Sequence, residues 1–496
     1  MPDIDLNDPT ASTLTTLAGA IRAGKLSPVA LTKAYLDRIA RLDGTLRAYI
    51  TVDADGALAT AAALEREAAA GAWRGPLHGV PLAHKDLCLI PGLPTSCGTR
   101  TSDYFVGAPP CTAVARLVAA GALTLGKLNM TELALGPFGD NAHHGDVQNP
   151  WRIGHVSGGS SSGSGAAVAA ALAAGALGTD TGGSIRLPAA CCGLAGLKPT
   201  YGRVSRAGVM PLSWSYDHVG PLARTVRDAA LLLGVIAGHD PLDATSSRQP
   251  VPDYLAALAG GVRGLRVGVA GDFYTDGLDA EVSRALADAV AALRALGATV
   301  EAMATPDPRP MVEACSNVMV RAESAAIHSR ILKERPGELQ PAVRDRMAPG
   351  LTVTAYEYLQ GQRLRARFAR EFIDAVFTRV DVLVTPTIPE PAPALAEAKA
   401  GTAADVIARM GRFSRLTRPF NALGLPALSI PCGASADGRP LAMQVVGRPF
   451  DEATLLRLGH AYEGATPWQG QSGTVWRQNS RGVASLSSVR PPPTYG

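Results

Sequence analysis

The chain lacks two features that mark large groups of proteins, namely a run of like charge and a long apolar segment. Its 496 residues include 47 basic and 43 acidic ones, so the net charge of +4 is small and is spread along the sequence. The longest weakly polar stretch, residues 165–178, is shorter than the roughly 20 residues that a membrane-spanning helix needs. We therefore expect neither a nucleic-acid partner nor a membrane partner.

The cysteines are few, and their spacing matches neither a metal site nor a disulfide framework. The seven cysteines include no C-x-x-C pair and no Cys/His cluster at zinc spacing, and their odd number argues against a disulfide framework. The first five residues, MPDID, are acidic where a secretion signal would be basic, and no apolar segment follows them. We expect a cytoplasmic protein that needs no metal ion and no organic cofactor.

The apolar content of 47% is typical of a globular protein, and hydrophobic spacing divides the chain into helices and strands. Ala, Leu and Arg recur at helical spacing over residues 12–69, which predicts two or three helices. From Gly79 onward strands and helices alternate, which is typical of an α/β fold with helices on both faces of a mainly parallel sheet. We expect helices packed on the main domain over residues 1–76, one large domain over 77–465, and a mobile tail over 466–496.

Two short segments are rich in glycine and serine. The first, GGSSSGSG, covers residues 158–165 and contains Ser160, and the second, GTDTGGSIR, covers residues 178–186 and contains Ser184. A lysine, Lys85, lies upstream in the segment HGVPLAHKD. Hydrolysis of an amide needs an activated nucleophile, an oxyanion hole and a proton donor for the leaving nitrogen. Two serines and a lysine in this setting predict an acyl-transfer site.

The second serine segment has the composition of an oxyanion hole. Its adjacent glycines let the backbone turn so that consecutive N–H groups point at one place. We predict that the hole is formed by the backbone N–H groups of four consecutive residues, Thr181, Gly182, Gly183 and Ser184. Asp180 and Arg186 flank this loop, and we expect them to hold its turn, paired with each other.

In sequence, order and spacing these segments resemble the amidase signature family of amide hydrolases, from about Leu77 to Glu463. The resemblance implies one large α/β domain on a mixed sheet of about eleven strands, flanked by helices on both faces. It also implies that Ser184 is the nucleophile, that Lys85 is the base, and that Ser160, placed after a cis peptide bond, relays the proton between them. The expected substrate is a small-molecule amide, with ester or carbamate cleavage left open, and a homodimer is left open as well.

Lys85 has to be neutral to act as a base, whereas an ordinary lysine with a pKa of about 10.4 is protonated at pH 7. Its apolar neighbours Leu82, Ala83 and Leu87 predict burial, which lowers the pKa of a lysine. Asp86 would raise the pKa of Lys85 unless alternation along a strand turns its side chain away.

The loops that shape the substrate pocket carry no pattern as specific as the serine segments. Four residues are candidates for its walls, Asn129, Met130, Trp214 and Tyr216. Of these, Asn129 and Met130 are the predicted substrate-binding residues.

One segment is similar to a phosphate-binding loop. Residues 121–128, GALTLGKL, have the glycines and the lysine of such a loop. Leu128, however, replaces the Ser or Thr that ligands Mg²⁺, and no clear helix follows. A nucleotide-binding protein is therefore a minor alternative.

A second alternative is the nucleophile elbow of α/β-hydrolases. The segment GSSSG, residues 159–163, fits G-x-S-x-G and would make Ser161 the nucleophile, with His328 or His460 as a distant base. An elbow needs a strand directly before it, and residues 148–152 do not have the composition of a strand.

The resemblance also covers the glutaminase subunit of the glutamine-dependent tRNA amidotransferase, which has the same Lys, Ser, Ser set. Such a protein would work in an assembly that serves tRNA indirectly. Segment 352–364, where we would look for groups that hold the α-carboxylate and α-amine of glutamine, is instead similar to the Arg/Ala-rich helix of stand-alone amidases. We favour a stand-alone amidase, and the alternative is the glutaminase subunit.

Overall fold

The computed structural model describes residues 6–466, whose main element is a sheet of eleven strands. A separate ribbon contains β4 and β5. The strands are β1 (Tyr49–Val52), β2 (Pro81–Lys85), β3 (Leu123–Leu128), β4 (Gln148–Asn149), β5 (Arg152–Val156), β6 (Gly175–Asp180), β7 (Ala195–Lys198), β8 (His218–Ala223), β9 (Arg266–Ala270), β10 (Thr299–Met303), β11 (Val382–Pro386), β12 (Ala427–Ala434) and β13 (Pro440–Gly447).

Helices flank this sheet, and their first turns are capped as the sequence indicates. At the start of α2, for example, the Ser27 hydroxyl accepts the N–H of Ala30, and Pro28 occupies the first turn. The helices are α1 (Leu14–Arg22), α2 (Pro28–Leu46), α3 (Ala54–Ala69), α4 (Thr112–Ala119), α5 (Ser162–Ala169), α6 (Arg186–Cys192), α7 (Val226–Ile236), α8 (Tyr254–Ala257), α9 (Ala280–Ala295), α10 (Arg309–Met311), α11 (Asn317–Ile327), α12 (Ser329–Glu334), α13 (Pro341–Met347), α14 (Ala355–Phe377), α15 (Leu395–Ala398), α16 (Ala403–Phe413), α17 (Arg418–Ala422) and α18 (Glu452–Ala465).

The sheet is mixed, and the strand order is β1-β3-β2-β6-β8-β7-β12-β13-β11-β9-β10. Strands β3, β2 and β6 form one parallel group, and strands β11, β9 and β10 form another. All other neighbouring pairs of this sheet are antiparallel. The α/β class and the mixed sheet of eleven strands are confirmed. The expectation of a mainly parallel sheet was wrong, because hairpin connections such as β12–β13 join antiparallel strands without a crossover helix.

The N-terminal segment contributes three helices, where two or three were expected, and also a strand. Strand β1 pairs antiparallel with β3 at the edge of the large sheet, with Tyr49 opposite Leu128. Helix α1 is tied to α7, because the Asp228 carboxylate accepts the N–H groups of Leu14 and Thr15. The boundary drawn between residues 76 and 77 stays a prediction.

Strands β2 and β6 are parallel neighbours, so their carboxyl ends lie at the same edge of the sheet. Helix α5, which begins within the first serine segment, is buried along its whole length, and its glycines and alanines permit this. A Cβ at Gly163 would collide with the Ala48 carbonyl oxygen and would lie 2.5 Å from that of Asn129. The close packing of α5 therefore holds the first serine segment beside the carboxyl end of β3, at the same edge of the sheet as the ends of β2 and β6.

Residues 467–496, which make up most of the expected tail, lie outside the described residues. Between residues 6 and 466, the longest apolar helices fall short of what crossing a membrane would require.

Candidate active site

Lys85 is the last residue of β2, and its side chain is fully buried. Its Nζ donates hydrogen bonds to Ser160 Oγ at 2.8 Å and to Thr179 Oγ1, near the end of β6, at 2.9 Å. Burial lowers the pKa of Lys85 to about 7, and the opposing effects of Cys88, Asp217 and other acidic groups do not cancel it. A substantial fraction of this lysine is therefore neutral near pH 7.

Asp86 points away from Lys85, as alternation along a strand predicts. Its Oδ1 lies 3.0 Å from the Nζ of Lys127, and its Oδ2 accepts the N–H of Ser96. Lys127 is fully buried in β3 and also donates to Thr95 Oγ1. The phosphate-binding alternative was wrong, because this lysine is committed to an internal ion pair on a strand.

Residues 158–161 of the first serine segment lie in the loop between β5 and α5, and the peptide bond between Gly159 and Ser160 is cis. Ser161 directs its hydroxyl to β6, donating to the carbonyl oxygen of Thr179 and accepting its N–H, both at 3.2 Å. Its own N–H donates to the carbonyl oxygen of Ser184 at 3.3 Å. The two serine segments are thus in direct contact.

These contacts contradict the nucleophile elbow. A strand, β5, does precede the segment, contrary to expectation, but it belongs to the separate ribbon with β4. The Ser161 hydroxyl is occupied by the backbone of β6, and His328 instead contacts the Tyr104 hydroxyl at 2.9 Å. Within residues 6–466, neither His328 nor His460 contacts Ser161.

Ser184 lies in the turn between β6 and α6 and is half-buried, at the wall of a cavity of about 60 Å³. The preceding Gly183 has a φ of +132°, and a Cβ there would collide with Thr417 Oγ1 and lie 2.9 Å from Leu187 Cδ1. Only glycine fits this turn, which places Ser184 at the cavity.

Asp180 and Arg186 are paired, as expected, and both are fully buried. Two guanidinium nitrogens donate to the Asp180 carboxylate at 2.9 and 3.0 Å, and that carboxylate also accepts the N–H groups of Gly183 and Ile185. Burial raises the pKa of Asp180, but the charge and hydrogen bonds of Arg186 outweigh burial, so the pKa lies below its ordinary value. This pair holds the turn.

One of the four N–H groups predicted to form an oxyanion hole is engaged within the protein. The N–H of Gly183 donates to Asp180 Oδ1 at 2.7 Å, so in this arrangement it is already used. In the part of the chain that the structure describes, the N–H groups of Thr181, Gly182 and Ser184 have no such acceptor. The prediction assumed that every N–H of the loop points outward, whereas the Asp180 carboxylate draws one of them inward.

We expect Asp180→Asn to lower the free energy of unfolding by about 3 to 5 kcal/mol, because it leaves the Arg186 guanidinium buried without a countercharge. The control is Glu371→Gln, which removes an exposed ion pair with Arg367 on α14 and should change stability little. Urea unfolding of both variants measures the difference. Equal midpoints for the two variants would contradict the structural role of Asp180.

The predicted pocket walls were mostly wrong. Asn129 is buried and donates to the carbonyl oxygens of Arg47 and Gly145, while its own oxygen accepts the N–H of Met130. Met130 is also buried, and neither residue lines the cavity at Ser184. The Asn129 side chain instead holds together the backbone at Arg47 and at Gly145.

The two aromatic candidates differ from each other. Tyr216 is fully buried, under the guanidinium of Arg365. Trp214 is 43% exposed and lines a larger cavity of about 260 Å³ next to the one at Ser184. Of the candidate wall residues, Trp214 alone lies at either of these two cavities.

Several residues of the site come from distant parts of the chain and were missed. Asn421 and Gln444 accept hydrogen bonds from Arg186 at 2.6 and 3.0 Å, and the Thr417 hydroxyl donates to the carbonyl oxygen of Gly182 at 2.7 Å. Arg346 and Arg418 line the cavity at Ser184. No local pattern marks these residues, because they reach the site only through the fold.

A metal site is not evident in the described part. Within residues 6–466, no group of three or more His, Cys, Asp or Glu side chains is placed to hold a metal ion.

Comparison with known proteins gives the family. The family profile described as Amidase matches residues 30–456. The chain is 42% identical over 478 residues to a glutamyl-tRNA(Gln) amidotransferase subunit from Roseiflexus sp. (strain RS-1), and the match covers 92% of this chain and 96% of that protein.

Comparison with solved structures also identifies amide-cleaving enzymes as similar proteins. The peptide amidase from Stenotrophomonas maltophilia is similar with a TM-score of 0.81 and 33% identity, over 92% of this chain and 97% of that one. A bacterial aryl acylamidase of the amidase signature family is similar with a TM-score of 0.85 and 27% identity, over 97% and 99% of the two chains. The chain therefore belongs to the amidase signature family and is an enzyme that acts on amide C–N bonds.

Proposed function

We propose that the enzyme cleaves a small-molecule amide through an acyl-enzyme on Ser184, with Ser160 as the proton relay and Lys85 as the base. The observation that carries this proposal is the 2.8 Å hydrogen bond between the buried Lys85 Nζ and Ser160 Oγ. Two further facts support it, namely the pKa of Lys85, lowered to about 7, and the contact between the two serine segments. Together they give a base that is partly neutral near pH 7 and a serine next to it.

In acylation, Ser184 Oγ attacks the amide carbon while its proton passes through the Ser160 hydroxyl to the neutral amine of Lys85. The negative charge that develops on the carbonyl oxygen is stabilised by the unengaged N–H groups of the Ser184 loop. When the C–N bond breaks, the proton on Lys85 returns through Ser160 to the leaving nitrogen. The acyl group then remains on Ser184 as an ester.

In deacylation, a water molecule attacks the ester carbon and gives its proton to the same relay. The C–O bond to Ser184 breaks, Ser184 regains a proton from Lys85 through Ser160, and the carboxylic acid leaves. One water is consumed for each amide cleaved, and no oxidation or reduction takes place. Accordingly, we propose that the reaction needs no cofactor.

A glutaminase subunit of a tRNA amidotransferase is the second candidate, and the 42% identity to the Roseiflexus protein favours it. Segment 352–364 does not separate the two candidates, contrary to the expectation from the sequence. Its residues Thr354 and Tyr358 line a different cavity, of about 440 Å³, and no residue of the segment lines the cavity at Ser184. The stand-alone amidase and the glutaminase subunit therefore have to be distinguished by their activity and by the charges around Ser184.

We expect the purified chain alone to release ammonia or amine from simple amides, and to keep its activity after exhaustive chelation. The measurement is product release from aliphatic amides, aryl amides and L-glutamine, with the size of the protein determined in the same preparation. Activity on L-glutamine alone, or only with added partner proteins, would favour the amidotransferase. Loss of activity that zinc or magnesium restores would contradict the cofactor-free proposal.

Other properties stay predictions. These are the cytoplasmic location, the homodimer and the lack of nucleic-acid and membrane partners.

A further inference from the structure

Two arginines that the proposed reaction does not use line the cavity at Ser184. Arg346 comes from α13 and Arg418 is the first residue of α17. The stem of Arg418 lies against the Ser184 loop, because a Cβ at Gly182 would be 3.5 Å from Arg418 Cγ. Two cationic side chains therefore lie at the wall of the cavity that holds the candidate nucleophile.

Both arginines lack an ion-pair partner within residues 6–466. Arg418 donates to the side-chain oxygen of Asn317 at 3.0 Å. Arg346 donates to the carbonyl oxygen of Leu135 at 3.2 Å and, from the same nitrogen, to Met410 Sδ at 3.6 Å. Most of their N–H donors are left unengaged. A guanidinium in a partly buried wall is usually paired, so these two are an exception that calls for a ligand.

The charges around the two arginines do not compensate them. Burial lowers the pKa of both side chains, and repulsion by Arg418 and by Arg321 lowers that of Arg346 further. Asp140 is the carboxylate whose charge reaches Arg346, but it forms no ion pair with it, and burial raises the pKa of Asp140. The cavity is therefore positively charged.

The larger adjoining cavity shows the opposite arrangement, since its charged groups are engaged within the protein. Arg206 lies 3.6 Å from Asp243, and Asp217 accepts hydrogen bonds from the Thr181 hydroxyl at 2.6 Å and from two backbone N–H groups. No acidic residue lines the cavity at Ser184. Neither cavity, as far as residues 6–466 line it, offers a free carboxylate to a substrate ammonium group.

We propose, building on the proposed function, that the substrate is an amide that carries a carboxylate and lacks an ammonium group. Arg346 and Arg418 bind that carboxylate through charge-assisted hydrogen bonds while the amide carbon lies at Ser184. L-glutamine is a poor match, because its α-ammonium group would enter a positively charged cavity without an acidic partner.

Three amides of the same chain length test this. Glutaramate carries a carboxylate, pentanamide carries a methyl group in its place, and L-glutamine adds an ammonium group to glutaramate. We expect kcat/KM for glutaramate to exceed that for each of the other two by about 10- to 100-fold. Equal values, or a preference for pentanamide, would rule out a carboxylate on the acyl part of the substrate and leave the amidase proposal standing.

Variants of the two arginines test whether these side chains cause the preference for a carboxylate. Arg346→Gln and Arg418→Gln should each lower kcat/KM for glutaramate about 10-fold more than kcat/KM for pentanamide. Arg418→Lys should keep part of the preference, because it keeps the charge. The matched control is Arg344→Gln, whose side chain pairs with Asp345 at the surface and should affect neither substrate. Equal losses on both substrates in the Arg346 and Arg418 variants would show that these arginines only support the fold.

A second pair of substrates decides where the carboxylate lies. N-acetyl-β-alanine and N-propylacetamide differ by a carboxylate on the amine side of the amide. A preference in the glutaramate pair places the carboxylate on the acyl part, a preference in this pair places it on the amine part, and no preference in either overturns the proposal.

Binding gives a readout that does not need turnover. Ser184→Ala keeps both arginines, so calorimetry with this variant should detect glutaramate and not pentanamide. If no amide at all is hydrolysed by the wild-type enzyme but glutaramate still binds in this way, the amidase proposal fails while the carboxylate site stands. Equal binding of the two compounds, or binding of neither, together with no preference in the N-acetyl-β-alanine pair, would overturn the site itself.

Discussion

Ser184→Ala is expected to reduce kcat for amides by at least about 10⁴-fold while leaving the fold intact. The substitution removes the attacking oxygen and little volume. The turn that carries Ser184 is held by the Asp180 carboxylate and by the left-handed Gly183, so the Ser184 hydroxyl is not needed to form it. Product release measured beside thermal unfolding of the same sample separates loss of chemistry from loss of folding.

Ser162→Ala is the matched control in the first serine segment. The Ser162 hydroxyl is buried and has no hydrogen-bond partner within residues 6–466, so its removal should leave activity near that of the wild type. A fluorophosphonate reagent followed by mass spectrometry should label Ser184. Labelling at Ser161 would show that the nucleophile has been misassigned.

The parts of the site that the sequence predicts are those whose partners are close along the chain. Asp180 and Arg186 are six residues apart and flank a glycine turn, so their pairing follows from local geometry. The direction of Asp86 follows from alternation along β2. A local pattern gives these contacts because few backbone conformations connect such residues.

The remaining contacts depend on how strands are ordered in the sheet, and no local pattern encodes that order. Gln444 reaches Arg186 because β13 lies next to β12 and β11, and Asn421 reaches it from α17. The same lack of information produced the wrong expectation of a mainly parallel sheet. It also misplaced Asn129, because the sequence does not show to which side of a loop a side chain turns.

The pH dependence of the wild-type enzyme tests Lys85 without any substitution. Neutral Lys85 is the active form, and the neutral fraction grows as the pH rises through the pKa. We therefore expect kcat/KM for amides to rise with pH through an apparent pKa of about 7 and then to level off. A profile that is flat from pH 6 to 9, or that falls with rising pH, would contradict a neutral lysine base.

Lys85→Ala should lower kcat/KM for an anilide by about 10³-fold and abolish the rise with pH. For a nitrophenyl ester of the same acid the loss should be at least about tenfold smaller, because nitrophenolate leaves without the proton that Lys85 returns to an amine. The measurement is kcat/KM against pH for both substrates in the wild type and the variant.

Two further variants distinguish the role of Lys85 as a base from its contribution to packing. Lys85→Met keeps most of the volume and should behave like Lys85→Ala, whereas rescue by methionine would mean that the lysine serves packing. Lys85→Arg should not restore activity, because a guanidinium does not lose its proton in this pH range. Equal losses on anilide and ester, with the pH profile of the wild type retained, would mean that Lys85 supports the fold and that another group takes the proton. The first candidate would then be His155, whose ring is only partly buried and whose pKa burial lowers.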